Sequence, residues 1–359
     1  MKHPSNAIVF CVDRRMILPA LVAAEEAARS VPADVADVLV LGPPSAIDPS
    51  LPSWLAGRGS RVRIEPTDFD AWFPTALPSR GRFPSLVNAR LLLPQHFSGR
   101  YRRLLSLDAD LQIAAGLDRL FALDLGNRVV AAADDIPLSP LSPDGRLLDP
   151  AGPRHRAQAG LGEKERYANA GVLLIDVEAW NRTSLSERAT AFLERHVERC
   201  DLPDQAALNH LIRGEFAPLS PIWNSFHDLY IDLRLRDLFS PLIVHFTGDV
   251  KPWMLSFWRL GAAETDRYRR FFEKSVWTAL IEEPGHSVME AAPPGLLKRL
   301  ERLLSRAIGG KRFRSITSER RRRAERALVE QFIRTAAFAD VGQGLARLSP
   351  ASGRHAGPG

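Results

Sequence analysis

Two carboxylates, Asp108 and Asp110, stand one residue apart at the end of the apolar run LSLDADLQI, Leu105 to Ile113. In extended chain, residues i and i+2 point to one side, so a strand terminus lets both acids reach one cation. Hard oxygen donors suit Mg²⁺ or Mn²⁺. Such an ion can bridge a diphosphate and neutralise the charge that develops as the diphosphate leaves. D-x-D is a short pattern, and alone it also reads as a capped or solvated turn. HFTGDVKPW (245–253) adds His245, Gly248, Lys251 and Trp253. An imidazole can complete a carboxylate site and suits Mn²⁺ better than Mg²⁺. Gly248 would let the backbone approach a phosphate, and Lys251 would supply a point charge. A structural histidine beside a loop lysine is the plainer reading of the same segment.

Two further segments carry polar groups at useful places. In YANAGVLLID (167–176), Asn169 precedes Ala170-Gly171. This reads either as an amide offered to a sugar hydroxyl or as a turn before a strand. The pair Asp204-Gln205 opens PDQAALNHLI (203–212), where Asp204 also suits the positive end of a helix dipole.

The surrounding elements are those of an α/β fold. AIVFCV (7–12) is a buried-strand pattern, followed by helical spacing over Leu18 to Ser30. DVLVL (37–41) and RVRIEP (61–66) are strand candidates separated by a helix and a Pro/Gly-rich loop, which suggests a parallel sheet. SLVNARLLLPQHF (85–97) reads as a helix stopped by Pro94, and RRLLSLDAD (102–110) and RVVAAADD (128–135) as strands ending in acids. GVLLIDV (171–177) and LIVHFTG (242–248) are later strands. Ser184 to Cys200 reads as a helix capped by Ser184 or Ser186, and 203–212 as a short one. The segment 136–166 is a long loop rich in proline, of the kind often functional in compact domains. Acids at strand ends lie where open α/β sheets hold ligands.

Composition narrows the class. With 45% apolar and 25% charged residues, the chain is neither fibrous nor wholly disordered. Cys11 and Cys200 form no C-x-x-C pattern, so they read as two buried thiols of a reducing compartment. The N-terminus has neither the apolar region of a signal peptide nor the run of a membrane span, and the expected location is cytoplasmic. The net charge is +6, yet 296–334 holds 13 Lys or Arg against 4 Asp or Glu, +9 locally, leaving 6 − 9 = −3 elsewhere. Basicity confined to one segment, without aromatic platforms, argues against nucleic acid as a partner.

Taken in order, IVFCVD, NARLLLPQHF, RRLLSLDADLQI, YANAGVLLIDVEAWNR, DQAALNHLI with WN at 223–224, and HFTGDVKPW resemble glycosyltransferase family 8. That family includes glycogenin and the bacterial lipopolysaccharide galactosyl- and glucosyltransferases. The resemblance covers residues 6 to 280 and implies a GT-A type α/β fold, a twisted, mostly parallel sheet flanked by helices. It implies a retaining transferase moving a hexose, galactose or glucose, from a UDP-sugar to a glycan or lipid-linked glycan acceptor. The alternative is a sugar-nucleotide-binding protein that has lost turnover.

By the same resemblance, Asp108, Asp110 and His245 would hold Mn²⁺, with Mg²⁺ as the other admissible ion. Lys251 and Gly248 would contact the diphosphate, and Cys11 and Asp13 the nucleotide. Arg90, Asp134, Asn169, Ala170 and Asp204 would meet the donor sugar, and Gln205 would lie beneath the anomeric carbon, with Asp204 beside it in catalysis. Where the family has an asparagine and an aromatic that stacks on uracil, this chain has Arg14, Arg15 and Met16.

The expected domains are a catalytic unit over 1–285, a basic helical extension over 286–335 and a disordered tail over 336–359. In the extension, LLKRLERLLSRAI (296–308) places leucines on one face and arginines beside them. It reads as a helix packed on the catalytic body, or as a peripheral contact of 296–326 with anionic lipid at the inner face of the membrane.

Overall fold

The computed structural model describes residues 4–73, 85–140, 147–227, 240–247, 251–253, 262–277 and Arg323. The strands are β1 (Asn6–Cys11), β2 (Ala36–Gly42), β3 (Val62–Pro66), β4 (Arg103–Leu107), β5 (Leu111–Ile113), β6 (Val130–Asp134), β7 (Ala168–Asp176), β8 (Ala217–Pro218), β9 (Ser225–Phe226) and β10 (Ile243–His245). The α-helices are α1 (Ile17–Ser30), α2 (Leu51–Gly57), α3 (Leu93–His96), α4 (Asp118–Phe121), α5 (Gly152–Gln158), α6 (Val177–Arg182), α7 (Leu185–His196), α8 (Pro203–Ile212) and α9 (Ala262–Phe272).

The main sheet runs β3-β2-β1-β4-β7-β6-β8. β1 is parallel to β2 and β4, β2 to β3, and β6 to β8, while β7 runs against both β4 and β6. The sheet is therefore mostly parallel, with β7 as its reversed strand. Its central strands are buried on both faces. Ile8 and Phe10 enter one apolar cluster with Leu21 of α1, while Ala7 and Val9 enter a second with Trp180 of α6. Period-2 side chains feeding two cores are what a helix-flanked sheet requires. The chain leaves β1 toward β2 on one side and returns through β4 on the other, so the crevice between the ends of β1 and β4 is a topological switch point.

A small second sheet, β5-β10-β9, closes over that crevice. β10 pairs antiparallel with β5, placing His245 opposite Leu111, and Phe246 N donates to Asp110 O at 3.0 Å. Strand pairing, not sequence neighbourhood, carries the histidine to the aspartates.

Several local expectations change. Residues 85–97 are a 3₁₀ segment, Ser85–Leu91, followed by α3, where Pro94 occupies the first turn. Proline's missing N–H has no intrahelical partner at that position anyway, so Pro94 starts a helix and does not end one. β4 stops at Leu107, leaving Asp108 to Asp110 in the turn before β5. Asn169, Ala170 and Gly171 lie inside β7, so the small residues make no turn. Ser184 stands at the N-cap position of α7, with φ 49° and no capping bond from its side chain, and the Ser186 hydroxyl is turned inward, donating to Leu91 O. The long loop contains α5 and is held by buried Arg156, which donates to the carbonyls of Leu138, Gly162 and Glu165.

At the far end of the described chain, α9 docks on the first helix. Arg267 pairs with Glu26 at 2.8 Å and donates to Leu111 O, and Glu26 accepts from Ile113 N at 2.9 Å. Burial pushes the Glu26 carboxyl up, and Arg267 opposes it. Both residues thereby grip β5, the strand that follows Asp110. Apart from Arg323, the segments 286–335 and 336–359, with the proposed membrane-contacting stretch 296–326, lie outside the described residues.

Candidate active site

The ends of β1 and β4 open into a cavity of about 690 Å³ whose wall includes Cys11, Asp13, Arg90, Asp108, Asp110, Asn169, Ala170, Asp204, Gln205, His245 and Lys251. Asp108, Asp110 and His245 each offer one ligand atom, all within 4.8 Å of one another. His245 Nε2 lies 3.5 Å from Asp108 Oδ2 and 3.4 Å from Asp110 Oδ1. Adjacent ligands of an octahedral ion with bonds of about 2.1 Å stand about 3 Å apart, so a small contraction makes this trio a ligand set. Two carboxylates and an imidazole are donors that fit a divalent ion such as Mn²⁺.

The second oxygen of each acid is held by a protein cation. Arg90 Nη2 meets Asp108 Oδ1 at 2.5 Å, and Lys251 Nζ meets Asp110 Oδ2 at 2.6 Å. Burial alone would raise the Asp110 carboxyl, but Lys251 and His245 outweigh it and hold it well below the usual carboxylate range. It is a charged ligand at neutral pH. Arg90 also reaches Asp204 Oδ2 through Nε at 3.0 Å and donates to Ala170 O at 2.6 Å. Burial would lower its guanidinium, yet Asp108 and Asp204 reverse the effect and raise it. Asp204 is itself pushed up by burial, with Arg90 opposing.

Beside this charged group lies a neutral one. Gln205 Oε1 accepts from Ala170 N at 2.9 Å and from Asn169 Nδ2 at 3.2 Å, and its Nε2 donates to Asp135 Oδ2 at 3.1 Å. Asn169 Nδ2 donates to the same Asp135 oxygen at 3.1 Å. Asp135 is 5% exposed. Burial pushes its carboxyl up to about 6, against the two amide donors.

Asp134, the acid expected at the sugar, is placed elsewhere. Arg166 grips it through Nε at 3.0 Å and Nη2 at 2.7 Å, and Asp135 takes its place on the cavity wall. Side chains alternate along β6, so Asp134 continues the face of Val130 and Ala132 and Asp135 falls on the side of Ala131 and Ala133. The doublet was visible in the sequence; the arginine that occupies one of its members was not. Asp13 Oδ1 accepts from the backbone N–H of Arg15 and Met16, turning the chain into α1. Cys11 is half-buried on the wall instead of enclosed, while Cys200 is buried. Burial pushes the Cys11 thiol up to about 12, so it is no thiolate nucleophile. Gly248 lies outside the described residues.

The model described as "Glycosyl transferase family 8" matches residues 8–255. The chain belongs to glycosyltransferase family 8. Among curated family relatives, it is 30% identical over 159 residues to "Lipopolysaccharide 1,2-glucosyltransferase" of Escherichia coli strain K12, covering 42% of this chain and 44% of that protein. It is 25% identical over 185 residues to "Lipopolysaccharide 1,3-galactosyltransferase" of Salmonella typhimurium, covering 50% and 52%. The matched stretches thus span about half the length of these relatives. Among solved structures, galactosyltransferase LgtC in complex with donor and acceptor sugar analogs superposes with a TM-score of 0.58, at 24% identity, over 74% of this chain and 95% of that one. The likeness shows a shared GT-A-like fold. No helix among the described residues is long and apolar enough to cross a membrane.

Two positions of the site gained a role only in three dimensions. Asn224, noted in the sequence only as part of WN, bonds to His245 Nδ1 at 2.9 Å. Gly171, read as a turn residue, lies under the His245 ring, where a Cβ would stand 2.8 Å from Nδ1.

Proposed function

We propose that this chain is a retaining hexosyltransferase, moving glucose or galactose from a UDP-sugar to a glycan or lipid-linked glycan acceptor, with Mn²⁺ as its ion. The convergence of Asp108, Asp110 and His245 on one point of a cavity wall carries this reading. The names of the lipopolysaccharide transferases among its relatives favour a hexose and a glycan. Asp108, Asp110 and His245 would hold the ion, which when bound supplies positive charge against the leaving diphosphate.

The chain's own residues supply position and charge. Lys251, paired with the other oxygen of Asp110, adds a cation beside the diphosphate. Arg90 and Asp204 form a rigid pair facing the donor sugar, with Asn169 and the main chain of Ala170 next to them. Gln205 is an amide whose oxygen already accepts two hydrogen bonds, so it is a poor nucleophile for a double displacement. Retention then proceeds at the front face: the acceptor hydroxyl bonds to the anomeric carbon as the carbon–oxygen bond to the diphosphate breaks, and a phosphate oxygen takes the proton. Asp135, ionised above about pH 6, holds the Gln205 amide throughout. The product from an α-linked donor is α-linked, and a β-linked product refutes the mechanism.

The test is a panel of sugar nucleotides assayed for Mn²⁺-dependent hydrolysis and transfer by the wild-type protein and by Asp110→Ala. Turnover lost in the variant supports the reading. Binding of a sugar nucleotide by wild type without turnover would support the binding-protein alternative instead. The location follows from the acceptor: the basic stretch 296–326 would meet anionic lipid at the inner face of the membrane.

A further inference from the structure

We propose that Asn224 is a positioning residue that fixes His245 as the Nδ1–H tautomer and ties this ligand, through Asn169, to the Asp135–Gln205 pair on the sugar side of the cavity. The inference rests on the metal-site reading above and adds a residue to which that reading gives no role.

The direction of every bond in the chain follows from one atom whose chemistry is unambiguous. Gly171 N is a backbone N–H, which can only donate, and it points to Asn169 Oδ1 at 2.9 Å. That fixes which end of the Asn169 amide is oxygen. The Asn224 atom 2.8 Å from the same oxygen must then be a donor, Nδ2. Its other end, Oδ1, is therefore what faces His245 Nδ1 at 2.9 Å. An amide oxygen has no proton to give, so Nδ1 carries the proton. Nε2 keeps its lone pair, aimed at Asp108 and Asp110, as a cation ligand must. The far end agrees: Asn169 Nδ2 donates to the Asp135 carboxylate at 3.1 Å.

All the participants are enclosed: Asn224 is 2% exposed, His245 4%, Asn169 6%, and Gln205 and Asp135 5% each. At this depth of burial, an amide flip anywhere leaves two like groups facing each other, which is costly in a buried network. Ser225 and Trp223 bracket Asn224 in buried structure, so the side chain has little room to turn. The ligand atom at the ion and the amide beneath the sugar thus share one set of orientations.

Two substitutions separate the two ends of the chain. Asn224→Ala removes the acceptor for Nδ1, and Mn²⁺ affinity, read by electron paramagnetic resonance of free Mn²⁺, should fall about 10–100-fold. Asn224→Asp keeps an oxygen for Nδ1–H but sets a carboxylate against Asn169 Oδ1. Mn²⁺ affinity should then stay within about threefold of wild type, while transfer falls tenfold or more through kcat. Long-range ¹H–¹⁵N spectra of the His245 ring in the wild-type protein without metal should show the proton on Nδ1 in the neutral form. A neutral ring with its proton on Nε2 overturns the proposal even if neither variant folds. So does Mn²⁺ affinity in a folded Asn224→Ala equal to wild type. Wild-type protein that binds no Mn²⁺ overturns the metal-site reading itself, a result distinct from either.

Discussion

Gly171→Ala tests the packing of the proposed metal ligand His245 with a single methyl group. An added Cβ would overlap Cε1 of His245 and stand 2.8 Å from Nδ1 and 3.0 Å from Asn169 Oδ1. Carbon contacts settle near 3.5–4.0 Å, so the ring must retreat by roughly 1 Å. It has little slack, because Asn224 holds Nδ1 at 2.9 Å and Phe226 meets the ring edge-on at 5.7 Å. Overpacking of this kind costs about 1–3 kcal/mol. At about 2–4 °C per kcal/mol for a domain of this size, Tm should fall by roughly 2–12 °C. The larger effect is functional. Ligand positions must hold to about 0.2 Å for a metal site to form, so Mn²⁺ affinity should drop at least tenfold and transfer about 100-fold. Calorimetry, Mn²⁺ titration and initial rates on one preparation measure all three. Gly57→Ala is the control, since nothing lies within 4 Å of its Cβ position. Unchanged Mn²⁺ affinity and rate in Gly171→Ala would mean that His245 does not sit over β7 as described.

Other perturbations probe the remaining links. Asp110→Ala should abolish most transfer, and because it takes the carboxylate from buried Lys251, which keeps its bond to Phe246 O, it should also lower Tm; substantial activity in metal-stripped variant protein refutes the assignment. Asp135 has a folded value of about 6 against 3.8 in the unfolded chain. The native state therefore binds the proton over that interval, and stability from this group is lost as pH rises from about 4 to 6, by about 3 kcal/mol at 1.36 per pH unit. Asp135→Asn should flatten that part of the Tm–pH curve and raise Tm at pH 7.5, while slowing transfer; an unaltered curve counts against the assignment. Arg156→Ala strips donors from three loop carbonyls and should lower Tm while leaving Mn²⁺ affinity within about twofold, since each buried group left unpaired costs about 1–3 kcal/mol. If deleting 296–359 leaves co-sedimentation with anionic vesicles unchanged, the lipid contact is wrong.

Much of this molecule could be read from the chain because its signals are local. The buried runs at Ala7, Asp37 and Arg103 became β1, β2 and β4, and α8 runs from Pro203 to Ile212 as its spacing predicts. The six metal- and phosphate-side candidates among the described residues, Asp108, Asp110, His245, Lys251, Cys11 and Asp13, do line one cavity. What stayed hidden depends on pairing at a distance. Asp134 and Asp135 have the same chemistry, and Arg166, 32 positions further along the chain, is what marks Asp134 as the one held in an ion pair. Asn169 looked like a turn residue because Ala170 and Gly171 follow it; their small size instead lets His245 and Arg90 approach β7. Pro94 misled for a positional reason, since proline both ends helices and begins them.

The clasp between Arg267 and Glu26 has a consequence for how the protein is made. The two residues are 241 positions apart, and ribosomes add about 5–20 residues per second. A newly started chain therefore carries an acid that burial disfavours for roughly 10–50 s before its arginine exists. During that time β5 has only the Glu26 side of the clasp, through Ile113 N, and His245 is added only shortly before Arg267. A nascent polypeptide thus carries Asp108 and Asp110 long before His245, the third member of the group that could hold an ion, has been added. On the proposed function, turnover would begin only once the chain has been made through α9, and a fragment cut short before α9 would lack the clasp on β5.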